Sequence, residues 1–109
     1  MAPKQYIEGT RLLNGDAIVT VAGKLLDPFP SQAVRNHSPT GFAWGYGGSG
    51  PAQLALAILM ERGVPPGIAE RCYQSFKWDC ISRLPGEKFR LPIAVVDSWI
   101  QDNVYRDSR

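Results

Sequence analysis

The chain has 109 residues, of which 44% are hydrophobic and 20% are charged, and its formal net charge is +2. This length predicts one domain, 1–109, with a modest core of its own and with flexible ends at 1–4 and about 103–109. The small positive surplus does not indicate the clustered basic face of a nucleic-acid-binding or membrane-surface protein, although it leaves contact with nucleic acid open.

Two antiparallel strands are predicted at the N-terminus. They cover residues 5–13 and 17–21 on either side of Asn14-Gly15, and Asn-Gly between apolar runs is a strong hairpin signal. The segment 28–35 contains two prolines, which prevent regular strand pairing, so we expect a loop or one helical turn there.

A third strand is predicted in the segment 42–46, where large and small residues alternate. A period of two places Phe42, Trp44 and Tyr46 on one face of a short strand. Aromatic side chains that share a face form either part of the core or a platform for a ligand.

Three helices are predicted after this strand. The first has Ser49 or Gly50 as its cap and ends at Gly63, and its apolar residues on every side are typical of a helix surrounded by protein. The second, amphipathic helix covers 66–84, and the third begins at Pro92. The predicted fold class is α+β: a small antiparallel sheet, made of the N-terminal hairpin and a short third strand, packs on about three helices, the central one buried.

The cysteines and the termini indicate the cellular compartment. Cys72 and Cys80 are eight residues apart in one predicted helix, which separates their Cα atoms by ~12 Å, too far for a disulfide. One histidine and two widely spaced thiols predict no metal site, and no cofactor is expected. The N-terminus lacks a signal-peptide pattern, and the longest apolar run, 54–60, is shorter than the ~20 residues of a membrane span. We therefore expect a cytoplasmic protein without a membrane partner.

The glycines before the central helix match two nucleotide-binding patterns only in part. Gly45, Gly47 and Gly50 have the spacing of a dinucleotide-binding fingerprint, but the helical periodicity after the central helix leaves no second parallel strand. The same glycines resemble half of a P-loop, yet Pro51 and Ala52 stand where that loop needs Lys and Ser/Thr. Both assignments are rejected.

A weaker anion-binding hypothesis survives for the segment 36–53. Backbone N–H groups at the start of a helix attract a phosphate or carboxylate, while the same glycines would equally permit a sharp structural turn into a buried helix. Both explanations stay open. The candidate ligand-binding residues are Asn36, His37, Ser38, Trp44, Tyr46, Gly47, Gly48 and Ser49.

Other residues have competing roles. His37 is a structural histidine of a turn, a ligand contact or a catalytic base, but no carboxylate for a triad lies in the uncharged stretch 36–60, so no catalytic residue is assigned. Tyr73 and Phe76 fit the apolar stripe of the second helix, whereas Trp78 is the one aromatic there that we expect to be exposed.

The run NHSPTGFAWGYGGSGPAQLALAIL, residues 36–59, resembles the domain of unknown function numbered 6166, a family found in phages, plasmids, bacteria and archaea. The resemblance extends more loosely to residues 6–11 and 73–77. Many relatives carry an acidic residue where this chain has Ala43, so a site that used that side chain would be altered here. The resemblance implies a compact α+β domain associated with mobile elements and no particular reaction.

Three functions follow as hypotheses, with the oligomeric state left open. The first is a small non-enzymatic protein that binds an anionic, nucleotide-like ligand at the glycine-rich loop. The second is a protein that blocks a host defence complex and docks through an exposed aromatic such as Trp78. The third is a small hydrolase or transferase that uses His37.

Overall fold

A four-stranded antiparallel sheet and four helices form the fold. A computed structural model describes residues 5–105. The expected flexible end at 1–4, and residues 106–109 of the one expected at about 103–109, lie outside the described residues. In chain order the elements are β1 (Tyr6–Arg11), β2 (Ala17–Val21), β3 (Lys24–Leu25), α1 (Phe29–Val34), α2 (Ser49–Glu61), α3 (Pro66–Asp79), β4 (Lys88–Pro92) and α4 (Ile93–Ile100), with a 3₁₀ turn at Ile81–Arg83 and a π-helical turn at Gln101–Tyr105. The predicted α+β class is confirmed.

The predicted N-terminal hairpin is present. Strands β1 and β2 pair in antiparallel register, with Arg11 opposite Ala17. The Leu12 N–H donates to the Asp16 carbonyl at 2.7 Å, and the Gly15 N–H donates to the Leu12 carbonyl at 2.9 Å. These two bonds enclose a three-residue loop in which Gly15 has a positive φ of 94°, the usual geometry of a hairpin turn followed by a left-handed residue.

The predicted third strand at 42–46 is wrong. That segment is irregular, and the sheet, in the order β3-β2-β1-β4, takes its other strands from residues 24–25 and 88–92. Gly41 and Gly45 have φ values of 113° and 87°, which turn the chain out of an extended path. The aromatics consequently do not share a face, since Trp44 is buried and Tyr46 is exposed.

Helix α2 crosses the middle of the protein, as predicted for the central helix. Every residue from Gly50 to Leu59 is buried, because this apolar segment lies against α1, α3 and the rest of the hydrophobic core. The helix ends where expected: the Gly63 N–H donates to the Met60 carbonyl and the Val64 N–H donates to the Leu59 carbonyl, both at 3.0 Å.

Helix α3 ends at Asp79, five residues earlier than the predicted end at Leu84. Pro85 disfavours helical geometry in the residue before it. In addition, the carbonyl of Ile81 accepts a hydrogen bond from the Gly45 N–H at 3.1 Å, so the glycine-rich loop is tied to this turn. None of the helices within residues 5–105 combines the length and the apolarity that crossing a membrane requires.

Helix α4 begins directly after Pro92, as predicted. Val96 and Ile100 are buried in the core. The Trp99 ring meets the Phe76 ring edge to face at 5.0 Å, and its indole N–H donates to the Asp79 carboxylate at 2.7 Å. These contacts attach α4 to α3.

Candidate functional site

A cleft of about 510 Å³ opens at the N-terminal end of α2. One wall is the turn of the β1–β2 hairpin, and the other is the loop that leads into α2. The polar residues that line the cleft are Arg11, Asp16, Ser38, Thr40, Tyr46 and Ser49.

The first backbone N–H groups of α2 have no partner within residues 5–105. Gly48 is the N-cap residue and provides no side chain to cap the helix. The N–H groups of Gly48, Ser49 and Gly50 donate to no carbonyl, whereas the Ala52 N–H already donates to the Gly48 carbonyl at 3.1 Å. Unpaired N–H groups at the positive end of a helix dipole form a preorganised site for an anion.

The hydroxyl of Ser38 is a second polar group without a partner in the described part of the chain. Ser38 is only 8% exposed and lines the cleft. Its N–H donates to the Gln53 side chain at 3.0 Å, and its carbonyl accepts from the Gly41 N–H at 3.1 Å and from the Gln32 side chain at 2.8 Å. Since the backbone of Ser38 is satisfied, its Oγ is the atom left to bind a ligand in the cleft.

Gln53 fixes the loop that carries Ser38. This residue of α2 is fully buried. Its Oε1 accepts from the N–H groups of His37 at 2.7 Å and Ser38 at 3.0 Å, and its Nε2 donates to the Ser31 hydroxyl at 2.9 Å and the Arg35 carbonyl at 3.1 Å. All four hydrogen-bonding positions of the amide are used, so this side chain joins the central helix to the wall of the cleft.

His37 lies behind the cleft and contacts α3. Its Nε2 is hydrogen-bonded to the Tyr73 hydroxyl, and the two ring centroids are 5.2 Å apart. Burial lowers the pKa of His37 from its ordinary value of 6.5, and the nearby cations Arg35 and Lys77 lower it further. The adjacent Asn36 is exposed. The contact with Tyr73 supports a structural role for His37, and no base and nucleophile pair is formed with Ser38, whose backbone lies against Gln53.

Stability is expected to fall as the pH drops below 7, because the lowered pKa keeps His37 neutral in the folded state while the unfolded chain takes up a proton near pH 6.5. His37 is the only histidine of the chain. Urea unfolding of the wild type should therefore give a lower free energy of unfolding at about pH 5.5 than at pH 7.5. The difference between the two pH values should be smaller in His37→Gln. An identical pH dependence in both proteins would contradict this assignment.

Two exposed aromatic rings lie directly on the glycine-rich backbone. A Cβ atom on Gly47 would stand 2.1 Å from the Trp78 ring, and one on Gly48 would stand 2.5 Å from the Tyr46 ring. Tyr46 is 53% exposed and Trp78 is 55% exposed, as predicted for Trp78. A side chain at either position would therefore have to displace the ring that lies on it.

Lys77 brings a positive charge beneath this loop. The side chain is only 6% exposed, its Nζ donates to the Gly47 carbonyl at 3.3 Å, and it lies 4.5 Å from the centroid of the Trp78 ring. None of the ion pairs in the described part of the chain includes Lys77. Because the Gly47–Gly48 peptide is trans, the Gly48 N–H lies on the side opposite to the Gly47 carbonyl that Lys77 contacts. The distance from this N–H to the ammonium is about 6 Å or less. Lys77 thus polarises a peptide at the start of α2.

Trp44 is a core residue and not a surface contact. Its side chain is 1% exposed, and its ring meets Phe89 edge to face at 4.8 Å. The Arg11 guanidinium lies 4.9 Å from the centroid of the same ring. This burial removes Trp44 from the ligand-contacting residues suggested by its sequence, because Phe89 and Arg11 already cover the ring. Within residues 5–105, the indole Nε1 of Trp44 is buried without a hydrogen-bond partner.

The first turn of α2 packs tightly against Ala43, in the loop that leads into this helix. A Cβ atom on Gly50 would stand 2.6 Å from the Cβ and 3.1 Å from the backbone nitrogen of Ala43. Gly50→Val is expected to lower the free energy of unfolding by about 1–3 kcal/mol, because the loop 41–45 must move. Thermal unfolding would measure this loss.

Gly67→Ala is the matched comparison. Gly67 lies in α3 and has open space around its Cα. Alanine there is expected to raise stability by about 0.4–1 kcal/mol, since it restricts the unfolded chain. If Gly50→Val proved neutral, the close contact between Ala43 and α2 would be wrong.

Of the residues predicted for the site, three line the cleft: Ser38, Tyr46 and Ser49. The sequence patterns did not predict Arg11, Asp16 and Thr40, which line the cleft because the hairpin turn and the loop before α2 lie side by side in the fold. The buried Lys77 was not predicted either. The position of Lys77 four residues after Tyr73 was the available signal, because residues four apart share a helix face.

The comparisons with known proteins identify a family. No curated protein and no solved structure matches the chain. A family model described as a family of unknown function, DUF6166, matches residues 7–102. The match covers the sheet from Ile7 onward, the glycine-rich loop and helices α1 to α4. The chain therefore belongs to this family.

Proposed function

We propose that this protein is a small, non-enzymatic cytoplasmic binding protein whose cleft at the N-terminus of α2 holds an anionic, nucleotide-like ligand. The observation that carries the proposal is the set of N–H groups of Gly48, Ser49 and Gly50 together with the Ser38 hydroxyl, none of which has a hydrogen-bond partner within residues 5–105. A phosphate would satisfy these donors.

The charges around the cleft support an anion. Arg11 lines it, and Lys77 lies behind the Gly47–Gly48 peptide. The Arg11 Nε donates to the Gly86 carbonyl at 3.3 Å, and the guanidinium forms no ion pair with a carboxylate of the described residues. A guanidinium without a carboxylate partner is well suited to a phosphate, which it can bind through two parallel hydrogen bonds.

The organic part of a nucleotide would lie on Tyr46. This ring is half exposed and lines the cleft, and it is held in place on Gly48. Stacking of a base on an aromatic ring contributes about 1–3 kcal/mol and tolerates any base. The volume of about 510 Å³ is within the range of small-molecule sites.

Isothermal titration calorimetry with a panel of nucleoside monophosphates tests the proposal. The wild type should bind at least one of them, and Arg11→Gln should weaken that binding by about tenfold because a charge-assisted contact is lost. Arg83→Gln, which removes an exposed cation outside the cleft, should leave the affinity unchanged. The absence of binding to every nucleotide, or equal losses in both variants, would rule the proposal out.

A second candidate function rests on the exposed rings of Tyr46 and Trp78. Two half-exposed aromatics on adjacent glycines resemble the anchors of a protein interface. In this alternative the protein comes from a phage or mobile element and blocks a host defence complex. A pull-down from a bacterial host should then recover one partner with the wild type and lose it with Trp78→Ala. Recovery of the same partner with both proteins would contradict it.

A further inference from the structure

Two opposite charges line the cleft, and each lacks an ionic partner within residues 5–105. Arg11 and Asp16 both border the cleft, on opposite sides of the hairpin loop in sequence, but they form no ion pair with each other. The Asp16 carboxylate accepts a hydrogen bond from the Asn14 amide at 3.1 Å, and it is exposed. The cleft thus offers a cation and an anion to the same ligand.

The balance of charge limits the number of phosphates that the cleft favours. Among the lining residues Arg11 is positive and Asp16 is negative, and the helix end adds about half a positive charge. Lys77 adds one more positive charge from behind the loop. This sum compensates one phosphate group. A triphosphate would place further negative charges in a cleft that already contains the Asp16 carboxylate, and like charges at short range repel.

Asp16 also offers a hydrogen-bond acceptor. An ionised carboxylate accepts hydrogen bonds only, so it favours ligand groups that donate, such as sugar hydroxyls or an exocyclic amine. The Ser38 and Thr40 hydroxyls and the N–H groups of Ser49 and Gly50 can all donate to the phosphate. The phosphate end of the ligand would therefore contact hydrogen-bond donors, and its organic end would contact the Asp16 acceptor, within one cleft.

We infer that the cleft selects a single phosphate group, as a monoester or diester, that is joined to a donor-bearing organic group, and that Asp16 is the residue that disfavours polyphosphates. This inference rests on the proposed function, since it specifies which nucleotide-like ligands the same site accepts.

Calorimetry of the full chain with AMP and with ATP, without divalent cations, tests the selectivity. The wild type should bind AMP more tightly than ATP. Asp16→Asn should shift the ratio of the two affinities toward ATP by about fivefold to tenfold, because one repelling charge is removed. Asp102→Asn makes the same change in net charge on the C-terminal turn, away from the cleft, and should leave the ratio unchanged.

The outcomes separate this inference from the proposed function. The proposed function and the selectivity are both supported if the wild type binds AMP more tightly than ATP and the ratio of the two affinities changes in Asp16→Asn but not in Asp102→Asn. Tighter binding of ATP by the wild type, or equal ratios in the two variants, overturns the selectivity and leaves the anion site in place. If neither AMP nor ATP binds, the selectivity fails, and the proposed function fails with it when no other nucleoside monophosphate of the panel binds. Circular dichroism of each variant checks that the fold is retained.

Discussion

Replacement of Gln53 by leucine is expected to lower the free energy of unfolding by about 3–5 kcal/mol. Leucine has a similar size, but it leaves the N–H groups of His37 and Ser38 and the Arg35 carbonyl without their partner in a buried environment. Each buried group that loses its hydrogen bond costs about 1–3 kcal/mol, and the three would not add fully because the loop relaxes. Denaturant unfolding would measure the loss.

Gln74→Leu is the control for this prediction. Gln74 is exposed on α3, and the same exchange of side chains there is expected to change stability by no more than about 0.5 kcal/mol. If Gln53→Leu were as mild as Gln74→Leu, the end of α1 and the loop 35–38 would not depend on the central helix, and the wall of the cleft would have to be held by other contacts.

Trp44→Ala is expected to cost about 3–5 kcal/mol, because a large, buried ring that packs against Phe89 of β4 is replaced by a cavity. Trp44→Phe should cost less, about 1–2 kcal/mol, since it retains the edge-to-face contact with Phe89 and removes an indole N–H that has no partner in the described chain. Thermal and denaturant unfolding of both variants would give the two values.

Trp78→Ala is the matched exposed substitution for this pair. More than half of the Trp78 side chain is accessible, so Trp78→Ala should lower the free energy of unfolding by much less than Trp44→Ala. Equal costs for Trp44→Phe and Trp44→Ala would mean that the aromatic ring retained by phenylalanine contributes nothing to stability, contrary to the edge-to-face contact with Phe89.

Local patterns predicted the elements whose signals lie within a few residues. The Asn14-Gly15 pair marked the hairpin, the uncharged apolar run marked the buried α2, and Gly63 marked its end. The failed strand at 42–46 shows the limit of this approach. Alternating aromatics satisfied the period of a strand, but the edge of β1 pairs with β4, more than seventy residues away, where Gly9 lies opposite Phe89. A single sequence does not reveal that pairing.

The candidate site was predictable in its backbone and only in part in its side chains, since Ser38, Tyr46 and Ser49 were predicted to belong to it. The glycine-rich start of α2 does present N–H groups that have no partner within residues 5–105, as the pattern indicates. Arg11 and Asp16 could not be assigned, because they approach α2 only after the hairpin folds over the loop. The alternating aromatics left both a core position and a ligand platform open for Trp44, and the structure places its side chain in the core.

Amide proton and nitrogen chemical shifts of the full chain, followed during titration with AMP, test the anion site most directly. The expected result is a saturable change in the signals of Gly48, Ser49 and Gly50, whose N–H groups have no carbonyl partner in the described part of the chain. Unchanged signals at these three residues, or changes confined to the outer face of the sheet around Arg90, would contradict an anion site at the start of α2.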